Sequence, residues 1–448
     1  MLAVGAALAL LAPTLALANG RSGDRSDDLR RAIDGGRARN VILFLGDGMG
    51  DSEITIARNY AVGAAGRLNM DRLPLTGEYT TYAVEESNPS LPNYVTDSAA
   101  SGTGWATGHK TSNGRISTTA QSDKDLRTIL ELAQDKGMRT GDVSTAELTD
   151  ATPAVLAAHV AARDCQGPAN MAACPQDRKS AGGPGSIAEQ QVDHHVDVLL
   201  GGGKGRFDQT IDGGPDAGRT VVESAQRQGY RVVTDAPGMA AGRADKPLLG
   251  LFNAGNMSLE WSGALAAPFP GSGLQRCVEN QRPAHEPSLS AMTGKAIELL
   301  TAKTRGHGNR GFFLQVEGAS IDKQDHAENP CGQIGEHIAF DKAIKVGLDF
   351  AKRNPDTLIV VTADHGHTSQ IIDPQTATDH SPGAVSTLIT ADGAQMVVNY
   401  ATNLHGRSQS RTGTEVRIAA QGPQAANVAG VTDQTDLFHT MSRALGLE

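Results

Sequence analysis

Four short runs made almost wholly of apolar residues constrain this chain most: Val41–Leu45, Val196–Leu200, Phe312–Val316 and Leu358–Val361. A strand with one wet face would alternate apolar and polar residues. Near-continuous apolar strands need burial on both faces, as in a parallel sheet. Between the runs lie amphipathic stretches that read as helices: Asp125–Lys136, Val221–Gln228, Leu289–Lys303, Ile334–Lys352 and Asp433–Leu445. Strand–helix alternation of this kind implies the α/β class, with a large, mostly parallel central sheet and helices on both faces. The length of 448 residues allows roughly three domains at about 150 residues each. Large α/β sheets exceed that size, and residues 19–448 are read as a single domain. Gly/Pro-rich stretches at 165–185, 253–288 and 371–394 are read as surface excursions around one core.

Composition excludes several classes. Hydrophobic residues at 39% and charged residues at 20% are globular values, not those of a disordered chain. Lys+Arg 40 against Asp+Glu 50 leaves a net charge of −10. Such a chain repels phosphate backbones, so no nucleic-acid-binding role is expected. No heptad, collagen or solenoid period is visible. Residues 1–18, MLAVGAALALLAPTLALA, carry no charge and end in Ala16-Leu17-Ala18. They are read as a signal peptide, with a buried N-terminal helix as the alternative. No later stretch has the length of a membrane span, and the expected location is periplasmic or secreted. The four cysteines, Cys165, Cys174, Cys277 and Cys331, behind an export signal suggest two disulfides rather than four thiols. Of three pairings, the local Cys165–Cys174 is simplest and leaves Cys277 with Cys331.

The chemistry-bearing residues are informative by position. Asp47 follows the first apolar run, Glu317 ends the third, and Asp364-His365 follow the fourth. Ligands of open α/β sheets bind beyond the carboxyl ends of the strands. One Asp after a strand is usually a turn former; three such coincidences point to a site. Asp322 and His326 are four apart and share a helix face, a pair suited to Zn²⁺ with nitrogen and oxygen ligands; a surface ion-pair helix with a solvated Lys323 is the plain alternative. In Val95–Thr103, small residues after Ser98 start a helix. Ser98 is there either an N-cap or a hydroxyl at a helix N-terminus awaiting a base or metal to activate it. Thr152 reads as the N-cap before Pro153 of a helix 154–162, ended by Arg163; Arg163 also suits bidentate phosphate recognition.

Taken together, these segments resemble bacterial alkaline phosphatase. The likeness is carried by Phe44–Gly50, Thr96–Thr103, Ser144–Pro153, Phe312–His326, Thr362–His365 and Thr432–Phe438, and runs from about residue 36 to the end. The resemblance implies two zinc ions and one magnesium. One zinc would be held by Asp47, Asp364 and His365, with Ser98 as fourth ligand. Magnesium would take Asp47, Thr152 and Glu317, with Asp150 acting through waters. The second zinc would take Asp322 and His326. Ser98 would be the nucleophile, Arg163 a phosphate clamp steadied by Asp97, and Lys323 a second cation reaching phosphate through water. The cysteine pairing above agrees with the family pattern. The implied substrates are phosphate monoesters, the implied intermediate a phosphoserine, and the implied assembly a homodimer. Other readings are a phosphodiesterase or sulfatase on the same scaffold, or a catalytically weakened phosphate- or metal-binding relative.

One position departs. The resemblance calls for a His before a Thr-Gly as third ligand of the second zinc, and the chain reads Ser410-Arg411-Thr412-Gly413. A guanidinium stays protonated and cannot ligate. Either His405 substitutes or the second zinc is weakly held.

Overall fold

The computed structural model describes residue 29 and residues 32–306, 310–375 and 382–447; the expected signal peptide lies outside the described residues. The main sheet has ten strands. In chain order they are β1 (Asn40–Gly46), β2 (Leu75–Thr80), β3 (Arg139–Glu147), β4 (Val198–Gly202), β5 (Arg231–Val233), β6 (Leu248–Leu251), β7 (Phe312–Gly318), β8 (Thr357–Ala363), β9 (Val416–Gln421) and β10 (Gly430–Asp433). Their spatial order is β10-β2-β9-β8-β1-β7-β3-β4-β6-β5. From β8 through β1, β7, β3, β4 and β6 to β5 every pairing is parallel. Only β9 runs against its neighbours. The sheet is therefore mostly parallel, as the apolar runs require.

The helices that matter to the site are α1 (Asp51–Val62), α2 (Ser98–Thr107), α3 (Ile129–Asp135), α4 (Ala151–Ala157), α5 (Ile187–Asp193), α6 (Leu289–Gly306), α7 (Ser320–His326), α8 (Pro330–Arg353) and α9 (Asp436–Leu445). All residues of β1, β7 and β8 are buried. The alternation of side chains along β7 shows what covers each face. Phe312 meets Phe350 of α8, and a side chain at Gly318 would strike Phe340 of α8. Gln315, of opposite parity, accepts from the Trp105 indole of α2 at 3.1 Å and donates to the Thr152 carbonyl of α4 at 2.8 Å. Helices thus cover both faces. The one polar side chain inside that apolar run is fully hydrogen-bonded rather than misplaced.

Boundaries differ from the sequence expectations where caps decide them. The helix expected from Asp125 starts at Ile129, because Thr128 and Glu131 form a capping box that satisfies the free N–H groups there. The stretch 371–394 is more than an excursion. Its Ala384–Ile389 strand joins Leu274–Gln275, Gln395–Tyr400 and Ser369–Ile372 in a second, four-stranded sheet. That sheet has its own apolar cluster around Ile56, Leu388, Val398 and Tyr400. Both disulfides form as expected, Cys165–Cys174 in the 165–185 loop and Cys277–Cys331 tying 253–288 to α8.

Asp71 locks α1 to β9. It accepts from Arg58 Nε at 2.8 Å and Nη2 at 2.7 Å, from Arg417 Nη1 at 2.9 Å and from Leu68 N at 2.9 Å. Burial opposes its charge, but these donors bring its pKa down to about 2. A depressed carboxyl pKa stabilises the fold above the unfolded value of about 4, and the gain disappears as pH falls toward about 2. Asp71→Asn is expected to cost about 2 kcal/mol at neutral pH, less than a fully buried pair because the cluster is partly wet. Urea titrations at pH 7 and near pH 2 check this; the gap between variant and wild type should close in acid.

Candidate active site

Register puts the predicted acids on one rim. Gly46 of β1 lies opposite Gly318 of β7 and Ala363 of β8. Asp47 and Asp364 therefore leave adjacent strands side by side, with Glu317 one residue short of the same edge. The chain must turn sharply after Asp47. Gly48 does so at φ +67°, where a Cβ would press on Asp322 at 3.0 Å and on the His367 ring at 3.1 Å. Its N–H donates to Asp364 Oδ1 at 2.8 Å.

Ser98 is the first residue of α2, and the cap is Asp97, whose Oδ1 accepts from Ala100 N at 2.9 Å. The Ser98 hydroxyl is thus released from the capping role it could have had. Its Oγ lies 3.3 Å from Asp47 Oδ1 and 3.4 Å from His365 Nε2. The expected Thr152 cap is likewise replaced: Asp150 caps α4, which spans Ala151–Ala157 and stops well before Arg163. Arg163 therefore ends no helix. Its guanidinium donates to Asp97 Oδ2 at 3.0 Å and Asp150 Oδ1 at 2.8 Å. Lys323 Nζ donates to Asp150 Oδ2 at 2.6 Å. Burial opposes charge on Asp150, yet Lys323 and Arg163 hold it below the usual carboxylate range.

The opposite holds a few residues away. Burial first, then repulsion from Asp322, Asp364 and Glu317, drives the Asp47 pKa well up. Burial pushes Glu317 up to about 8 although the Ser144 hydroxyl donates to it. So many buried carboxylates around so little positive charge are an arrangement for divalent cations. The ring nitrogens agree. His365 Nδ1 faces the Gly366 carbonyl at 3.1 Å and so carries the hydrogen. Its Nε2 lone pair then points at Asp364 Oδ2 (3.1 Å) and Asp47 Oδ1 (3.5 Å). His326 Nδ1 faces the Gln409 carbonyl, leaving Nε2 free toward Asp322 Oδ2 at 3.3 Å. Metal-binding imidazoles are oriented in this way by a carbonyl behind them. Asp364 Oδ2 and Thr152 Oγ1 are buried without a hydrogen-bond partner. The donors Asp47, Asp364, His365 and Ser98 fit a metal ion, and Asp47, Thr152 and Glu317 fit a second.

The Asp322–His326 corner does not fit a closed zinc site. His367, two residues after His365, brings a second ring to Asp322 and His326. However, its Nδ1 accepts from Thr368 N at 2.9 Å, so the hydrogen sits on Nε2. That Nε2 lies 3.2 Å from Asp322 Oδ1, so its hydrogen, not a lone pair, is turned to the carboxylate, and the ring offers no ligand atom there. Arg411 is drawn to the same oxygen, Nε 3.4 Å away. Burial opposes charge on Asp322, and Arg411, His326 and His367 bring it well below its usual range. His405 does not substitute: its Nδ1 pairs with Glu328 Oε2 at 2.7 Å, outside this group. Arg411→His is expected to raise zinc content by one ion per chain and to speed turnover about tenfold or more on esters with poor leaving groups. Atomic emission on gel-filtered protein with matched kinetics checks it; unchanged content and rates would count against the reading.

Other partners were invisible in one dimension. Ser144 on β3 and Gln409 in a distant loop orient Glu317 and His326 from far along the chain. His367 had a signal, its place two residues after His365.

Known proteins resemble this chain over nearly its whole length. The alkaline phosphatase family model matches residues 38–407 and 401–447. The chain is 51% identical over 450 residues to the streptomycin-6-phosphate phosphatase of Streptomyces griseus, covering 99% of this chain and 96% of that protein. It is 51% identical over 436 residues to the alkaline phosphatase of Escherichia coli (strain K12), covering 95% and 90%. Among solved structures, the alkaline phosphatase of Thermus thermophilus shares the fold at a TM-score of 0.70 and 22% identity, covering 98% of this chain and 96% of that one. That of the Antarctic bacterium TAB5 does so at 0.67 and 22%, covering 92% and 98%. With a family model and half-identical relatives spanning nearly its whole length, the chain belongs to the alkaline phosphatase family of phosphomonoester hydrolases.

Proposed function

We propose that the chain cleaves phosphate monoesters by two displacements at phosphorus, with Ser98 as the nucleophile. The observation that carries this is the Ser98 hydroxyl, freed from capping by Asp97 and set 3.3 Å from Asp47 and 3.4 Å from His365. Zinc at Asp47, Asp364 and His365, and magnesium at Asp47, Thr152 and Glu317, with Asp150 acting through water, are the ions this donor set favours; a second zinc at Asp322 and His326 is loosely held. Bound there, they supply Lewis-acid charge that ionises the serine and offsets charge on the phosphoryl oxygens.

In the first displacement Ser98 Oγ bonds to phosphorus and the ester oxygen departs, leaving as the alcohol once protonated. In the second, water attacks the phosphoserine, the P–Oγ bond breaks, orthophosphate leaves and Ser98 regains its hydrogen. Arg163 is suited to hold two phosphoryl oxygens through both steps. Asp97 and Asp150 keep its planar fork oriented, which reduces the entropy lost on binding. Lys323, fixed by Asp150, adds a second cation beside it.

Two fixed cations suit a dianionic monoester over a monoanionic diester or a sulfate ester, each of which leaves buried charge unmatched. Such a mismatch is worth about 10⁴-fold in kcat/KM. Aryl monoester, diester and sulfate compared under one set of conditions test the reading; equal rates on diester or sulfate would overturn it, and phosphate binding without turnover would favour a non-catalytic relative. Periplasmic or secreted location is supported by the two disulfides. Homodimeric assembly rests on the family likeness, and light scattering on the purified chain tests it. No helix among the described residues is long and apolar enough to cross a membrane.

A further inference from the structure

A second group of metal-ligating side chains lies apart from the rim. Glu131 is on α3, His159 stands two residues past the end of α4, and His194 is the C-terminal cap of α5. Glu131 Oε1 is 3.2 Å from His159 Nε2 and 3.7 Å from His194 Nδ1. One ligand atom from each residue lies within 4.8 Å of the others. Atoms bound about 2.0–2.1 Å from a tetrahedral zinc stand about 3.4 Å from one another. The two Glu131 distances bracket that spacing, and the third pair lies within 4.8 Å.

The hydrogens point the same way. His159 Nδ1 faces the Ser117 carbonyl at 3.0 Å and must donate to it. A neutral ring then presents a lone pair on Nε2 to Glu131 Oε1, itself an acceptor. Two acceptors 3.2 Å apart need a positive charge between them, a proton or a metal cation. The other Glu131 oxygen is already engaged by Thr128 N at 2.8 Å, so Oε1 is held in place. A proton alone would satisfy His159 and Glu131. It gives no reason for a second imidazole to converge on the same oxygen. Burial keeps His194 below its usual pKa, in the neutral form that binds metals, while Glu131 raises the His159 pKa against burial, so a positive charge is favoured on that side of Oε1. His194 also lines an open cleft of about 530 Å³ with Gln134, Arg139, Asp197 and Arg310.

We propose that Glu131, His159 and His194 bind one divalent transition-metal ion of the zinc class, which clamps α3, α4 and α5 together. The site is separate from the catalytic rim. Asp150 and Thr152 stand at the start of α4 and His159 beyond its end; Arg139, in the cleft, begins β3, whose far end carries Ser144. Two imidazoles and one carboxylate are donors that select zinc over magnesium or calcium. The competitor for the site, a bridging proton, defines the opposite result.

The test uses the full chain saturated with zinc and magnesium and freed of excess by gel filtration. Wild type is expected to carry one zinc per chain more than H194A, with kcat and KM on a phosphate monoester the same in both. Wild-type crystals are expected to show an anomalous peak at the zinc edge bounded by Glu131, His159 and His194. This second measurement decides the matter even if H194A folds poorly. Equal zinc content with no such peak would leave only a proton-bridged ion pair and overturn the proposal. Loss of turnover in step with the lost zinc would place the ion in the catalytic rim and overturn it too.

Discussion

Ser98→Ala is expected to abolish the phosphoenzyme and to lower kcat by about 10⁴-fold or more, the scale seen when a covalent nucleophile is removed. The variant should fold normally. Ser98 is fully buried but makes no capping bond, because Asp97 caps α2, and alanine suits the first turn of a helix. Acid quench after brief exposure to labelled monoester reads the outcome directly. Wild type should retain label on the chain and the variant none. Label surviving in the variant would refute the assignment of Ser98, while leaving family membership intact. Residual hydrolysis in the variant would be slow direct attack by water, since Arg163 and its two carboxylate partners are undisturbed.

Stripping divalent ions should have an effect of comparable size, about 10³-fold or more in turnover, because a serine hydroxyl without a base or metal is a poor nucleophile. It should also loosen the fold. Asp47, Glu317, Asp322 and Asp364 are all buried at one rim, and without bound cations their charges repel or must be neutralised. An ion present at a thousand times its dissociation constant stabilises the native state by about 4 kcal/mol. Chelated protein should therefore melt at lower temperature, and added zinc with magnesium should restore both melting temperature and turnover. Chelated, dialysed protein that cleaves monoesters as fast as metal-replete protein would sink the mechanism.

Much of the site was legible in the sequence because it sits where chain order and space coincide. A residue at the carboxyl end of a buried strand can only point to one rim, which is why Asp47, Glu317 and Asp364-His365 could be placed together. Asp322 and His326 share one helical turn, so their pairing was also local. Roles that depend on capping are not settled by sequence: Thr152 is not the cap it reads as, and Ser98 has two readings open. Asp and Ser side by side at 97–98, or Asp and Thr at 150 and 152, offer two candidate caps, and the choice depends on what the uncapped side chain meets elsewhere. Ser98 meets Asp47 and His365 just beyond the ends of β1 and β8, while Thr152 lies beside Glu317.

The α/β class, the rim that carries chemistry, the cysteine partners favoured by proximity and the Arg411 departure are all readable along the chain. Those follow from short-range rules: period, spacing and residue chemistry. Which nitrogen of His326, His365 and His367 faces a carboxylate depends on packing, since each is set by a backbone group behind the ring. Packing likewise brings Arg411 to Asp322 and turns His405 away to Glu328. Such contacts join segments far apart in the chain, and no local pattern encodes them; they exist because close packing leaves each side chain one place to go.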